Sequence, residues 1–111
     1  MANYLLVESR DPFEYGDSSY FYQVAQDLAG AGNSVTFCLV QNGVIPARKG
    51  VKDSPVEKLL KDAPSVKVLA DDFSLRERAI SADKLVAGVS QASVDDLVEM
   101  LVTSGTKAIW H

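Results

Sequence analysis

With 111 residues, 47% of them apolar and 23% charged, the chain has the size and balance of one globular domain that buries its own core. A net charge of −4, with Arg48 and Lys49 the only adjacent basic pair, argues against a nucleic-acid or anionic-membrane surface. One cysteine (Cys38) excludes an intramolecular disulfide, and one histidine (His111) leaves no His/Cys zinc set within a single chain.

The N-terminal stretch MANYLLVESRDP has no basic leader region, and its apolar run is too short for a signal peptide or a membrane span. With the lone cysteine, this leads to the expectation of a cytoplasmic protein. Tyr4–Val7 (YLLV) then reads as a buried strand. Phe21, Val24, Ala25 and Leu28 fall at i, i+3, i+4 and i+7, one apolar stripe of a helix, with Gly30 and Gly32 as stop residues. Val35–Val40 (VTFCLV) is a second strand, rich in β-branched and aromatic residues, followed by the Asn-Gly turn of Gln41–Val44.

Ser54–Glu57 (SPVE) reads as a capping box with proline at the first helical position, and Val56, Leu59 and Leu60 face the core. Val66–Ala70 (VKVLA) is a third strand. Asp71 and Asp72 come next, then Ser74–Glu77 (SLRE), a second capping box that starts a short helix at Ser74. Leu85–Val89 (LVAGV) is expected as a fourth strand. Ser93–Asp96 (SVDD) opens the last helix, with Val94, Leu97, Val98 and Leu101 as its buried stripe, and Ala108–Trp110 forms a short fifth strand. Strands and helices alternate, and the strands are near-continuous apolar runs. The expected architecture is a single domain over 1–111, a three-layer α/β/α fold with a mostly parallel five-stranded sheet.

Ligands of such sheets sit beyond the carboxyl ends of the strands. Near those ends lie Ser9, Gln41, Asn42, Gly43, Asp71, Asp72, Arg76 and Ser90, the residues expected to line any ligand pocket. Arg76 with a helix N-terminus could hold an anion, but Asp71 and Asp72 would repel it. The aspartate pair lacks a third ligand for a metal and reads first as a helix start. Cys38, between Phe37 and Leu39 in mid-strand, reads as core. There is no Gly-rich phosphate motif, and no cofactor or metal is implied. Tyr15, Tyr20, Tyr22 and Trp110 read equally as partner contacts or as half-buried core.

Three stretches resemble the DsrE/DsrF/DsrH (TusD/TusC/TusB) sulfur-relay family. YGDSSYFYQVAQDLAGAGNSVTFCLVQNGV is similar to its first helix, second strand and following turn. VKVLADDFSLRERAI is similar to its third strand and the helix after it, and TKAIWH to its short last strand. The resemblance implies a trimer or hexamer, or a hetero-oligomer with cysteine-bearing DsrE/DsrF-like chains; the charge balance already leads to the expectation of no nucleic-acid and no membrane partner. The sulfur-carrying cysteine of the DsrE branch aligns with Ala70, and Ala79 stands where the family often has glycine. Alanine cannot replace a thiolate nucleophile. The chain is therefore expected to be a non-catalytic oligomeric subunit or scaffold. The alternatives are a small-molecule-binding module with its pocket at the strand ends, or a sulfur carrier using Cys38.

Overall fold

The computed structural model describes residues 2–111. Five strands, β1 (Asn3–Glu8), β2 (Ser34–Leu39), β3 (Lys67–Asp71), β4 (Val89–Ala92) and β5 (Thr106–Trp110), form one sheet in the order β4-β3-β2-β1-β5. All four pairings are parallel, with Leu6 opposite Phe37 and Ile109, and Cys38 opposite Leu69. Four α-helices, α1 (Ser18–Gly30), α2 (Pro55–Asp62), α3 (Asp72–Glu77) and α4 (Val94–Val102), pack around it. No helix among the described residues is long and apolar enough to cross a membrane.

Alternate side chains of each strand face opposite sides, and the two sides are unequally covered. On one, Leu6, Phe37, Leu39, Val68 and Ala70 pack against Phe21, Tyr22 and Ala25 of α1, Val56 and Leu59 of α2, and Leu75 of α3. Tyr22 and Phe21 both stand against the Phe37 ring, with centroids 4.7 and 5.6 Å away. On the other side, Leu5, Val7, Cys38, Val40 and Leu69 are covered by α4 alone, through Leu97 and Met100.

Three expected elements differ. Of Leu85–Val89, only Val89 is strand. Leu85 makes one antiparallel bridge to Arg48, Val86 N–H donates to the Ala47 carbonyl (2.8 Å), and Gly88 turns the chain at φ 99°. Leu85 and Val86 are apolar because they are buried as part of a loop. The strand proper is Val89–Ala92, an edge strand whose Ser90 and Gln91 meet little packing on one side. The helix expected to start at Ser74 begins two residues earlier, at Asp72. Asp71 is its cap and accepts from Ser74 N–H (3.0 Å) and Ser74 Oγ (2.6 Å), so strand runs into helix without a linker. In α4, the Ser93/Asp96 capping box forms as expected, but Val94, Val98 and Leu101 are exposed and only Leu97 of that stripe turns inward. A lone helix lying on one face of a sheet needs only a narrow apolar seam.

Gln41–Ala47, after β2, is a 3₁₀ stretch. It returns the chain over the ends of β1 and β3, where the polar clusters gather.

Candidate functional site

The strand carboxyl ends carry two separate polar clusters. The first joins β2, β3 and α3. The Ser74 hydroxyl donates to Asp71 and accepts from Gln41 N–H (2.8 Å). Arg78 donates from Nε and Nη2 to Asn42 Oδ1 (3.1 and 2.9 Å) and from Nη1 to the Ser74 carbonyl (3.1 Å). Gln41 holds the left-handed conformation at φ 50°. A Cβ placed on Gly43 would stand 2.2 Å from the Glu8 carbonyl oxygen, so glycine permits the close crossing over β1. These polar groups are spent on one another, and the cluster is a built junction between elements.

The expected pocket residues therefore divide. Gln41, Asn42, Gly43 and Asp71 meet at this junction. Asp72 and Arg76 pair with each other on the surface (3.6 Å), and Arg76 lies over the Phe73 ring. Ser90 sits within β4 opposite Leu69, along a groove of about 490 Å³ shared with Lys67, Gln91, Asp96 and Met100. Ser9 belongs to the second cluster. Cys38 is buried under α4, and burial, aided by the charge of Asp71, pushes its thiol up to about 12. At neutral pH it is a thiol, not a thiolate nucleophile.

The second cluster lies where β1 and β5 end together. Glu8 is fully buried, and His111 Nδ1 stands 3.0 and 2.9 Å from its two oxygens. His111 Nε2 reaches Asp17 Oδ2 (3.2 Å), and the ring stacks on Phe21 at 5.1 Å. The backbone is pinned as well: His111 N–H donates to the Val7 carbonyl, and Ser9 donates from both N–H (3.0 Å) and Oγ (2.9 Å) to the His111 carbonyl. Beside them, Tyr22 Oη and Ser18 Oγ are buried without a hydrogen-bond partner.

Burial raises the Glu8 carboxyl above its usual 4.5, against the pull of Arg10 N–H and His111. Burial alone would lower His111, but its bonds to Glu8 and Asp17 outweigh this, and its net shift is upward from 6.5. Burial, with the charges of Glu8 and Asp11, drives the Tyr22 phenol far up. Among the described residues no group of three or more His, Cys, Asp or Glu is placed to hold a metal ion. The two ring nitrogens of His111 face different carboxylates across the ring.

Of this cluster, sequence reading found Ser9 alone and missed Glu8, Asp17 and His111. The cluster's one local signal is Glu8, a charge that continues a fully buried apolar run. The other half, the nearness of His111, depends on β5 lying beside β1.

No family model matches the chain, and no curated protein matches it in sequence. Among solved structures, the ychN protein from E. coli is similar with a TM-score of 0.79 at 21% identity, over 98% of this chain and 100% of that one. MTH1491 from Methanobacterium thermoautotrophicum, described as a protein of unknown function, is similar with a TM-score of 0.80 at 18% identity over the whole of both chains. At these identities the likeness establishes a shared fold, the five-stranded parallel α/β/α domain described above.

Proposed function

We propose that the chain is a non-catalytic DsrE/DsrH-like protein, an oligomeric subunit or scaffold related to intracellular sulfur relay. The exposed apolar surface of α4 and β5 carries this reading. Val94, Val98, Leu101 and Val102 on the helix, and Ile109 and Trp110 on the strand, all stand in solvent in the single chain. The total accessible surface, 6137 Å², matches the roughly 6,000 Å² expected of a compact monomer of this mass. The amount of surface is therefore ordinary, and its apolar composition points to a partner. The partner in this reading is a second copy of the chain or a cysteine-bearing DsrE/DsrF-like chain.

The non-catalytic half rests on three residues. Ala70, aligned with the family's sulfur-carrying cysteine, is fully buried and chemically inert. The next residue, Asp71, is committed to capping α3. Cys38, the remaining thiol, is packed under α4.

Mixing the chain with a persulfide-loaded, cysteine-bearing DsrE/DsrF-like carrier, followed by native mass spectrometry, tests the reading. A complex in which the extra sulfur stays on the carrier is the expected result. The chain as a lone monomer at every ratio, or sulfur transferred to Cys38, overturns it.

A further inference from the structure

We propose that Glu8, His111 and Asp17 form a proton-operated latch. It holds the segment between β1 and α1 against the end of β5 when the imidazole carries two protons, and it lets go at Asp17 when the imidazole carries one. This goes beyond the proposed function and does not depend on it.

An ionised carboxylate only accepts hydrogen bonds, and a neutral imidazole donates from one nitrogen only. Here both ring nitrogens face carboxylate oxygens, Nδ1 toward Glu8 at 2.9 Å and Nε2 toward Asp17 at 3.2 Å. With both carboxylates ionised, the imidazolium alone satisfies both contacts. Burial decides which contact opens. Glu8 has no exposed surface, and its partners are His111 and the Arg10 N–H (2.9 Å). Taking the His111 donor away would leave a buried charge under-satisfied. The Asp17 side chain is 62% exposed, and water replaces its lost partner. The remaining proton therefore stays on Nδ1, and Nε2 releases Asp17.

The neighbouring groups favour the closed state near neutral pH. Glu8 faces the ring from β1 and Asp17 faces it from the start of α1. Arg10 stands 3.9 Å from Asp17 and adds positive charge on its outer side. Asp11 adds negative charge near the Tyr22 phenol on α1, and Phe21 stacks on the ring without charge. Because the folded-state value of His111 is raised, the closed state is fully present below 6.5 and is lost as pH rises through the raised value. The released segment carries Phe13 and Tyr15, both exposed, with Arg10 seated over the Tyr15 ring at 5.0 Å. Opening at Asp17 frees this aromatic loop while the backbone bonds of Ser9 and His111 keep β5 in the sheet.

The chain holds a single histidine, so its ring nitrogen signals need no assignment. Ring and backbone ¹⁵N spectra of the full chain, followed from about pH 5 to about pH 9, test the latch. The expected results are a His111 midpoint above 6.5 and amides of Phe13, Tyr15 and Asp17 that move with the same midpoint. Asp17→Asn should lower the midpoint and abolish the loop response. Glu8→Gln should lower it too, and if that buried variant fails to fold, the surface variant Asp17→Asn still decides. A midpoint at or below 6.5, or loop amides indifferent to it, overturns the proposal.

Discussion

Gly43→Ala tests the close crossing that joins the two polar clusters. The added Cβ would meet the Glu8 carbonyl oxygen at 2.2 Å and the Glu8 carbonyl carbon at 3.0 Å, with Ser9 Cα at 3.5 Å. All three are backbone atoms of a strand end, so no side chain can swing aside. The obstructed oxygen also accepts from Val40 N–H at 2.9 Å, and Gly43 N–H donates to Val40 at 2.9 Å, so any retreat strains two bonds. Overpacking of this kind costs about 1–3 kcal/mol, and rigid obstacles put it at about 2–3. Alanine also restricts the unfolded chain, which returns about 0.4–1 kcal/mol at most. At roughly 4 °C per kcal/mol for a domain of this size, the melting temperature should fall by about 4–10 °C. Thermal unfolding followed by circular dichroism measures this. Gly30→Ala, at the end of α1 with nothing within 4 Å of its Cβ, is the control and should melt no lower than the parent. A Gly43→Ala protein that melts with the parent would refute the steric reasoning.

Three further outcomes follow from single residues. Asp71→Ala removes the cap of α3 and strands the buried Ser74 hydroxyl and amide; it should cost about 1–2 kcal/mol, read as a lower urea midpoint at unchanged slope. An equal midpoint would show that the cap contributes nothing. Ala79 follows the end of α3 at φ 55°, a conformation that suits glycine, so Ala79→Gly should stabilise by about 0.5 kcal/mol despite the greater freedom of glycine in the unfolded chain. A lower midpoint would contradict that account of its backbone. Cys38 should resist alkylation and persulfide donors in the native protein and react at the rate of unfolding. Modification at the speed of a free thiol, seen by intact mass, would place it at the surface.

The sheet was legible where its strands are central. β1, β2 and β3 are flanked on both sides, and the apolar runs at Tyr4–Val7, Val35–Val40 and Val66–Ala70 mark them to within a residue or so. β4 lies at an edge, where one flank of the strand has no partner and Ser90 and Gln91 suffice. The more apolar Leu85–Val89 drew the expectation because a buried loop and a buried strand look alike in composition. α4 was found, but its orientation was not, since its apolar residues form a broad arc opposite Asp95, Asp96 and Glu99, and packing selects Leu97 and Met100 from it. The expected pocket scattered for a related reason. Nearness to a strand end in sequence does not say which face a side chain takes, and Asp72, Arg76 and Ser90 took others. The Glu8–His111 contact spans 103 positions and exists only because β5 pairs with β1.

The apolar surface of α4 and β5 underlies the reading of this chain as an interaction subunit, and its mass in solution tests that most directly. Light scattering across a wide concentration range, with Val98→Asp as the comparison, is the measurement. The account predicts a mass above 12.0 kDa, a multiple of it for the chain alone or the mass of a mixed complex with a cysteine-bearing partner, and a fall toward 12.0 kDa when the charge enters the helix face. A particle of 12.0 kDa at every concentration, with and without such a partner and unaltered by Val98→Asp, would contradict it.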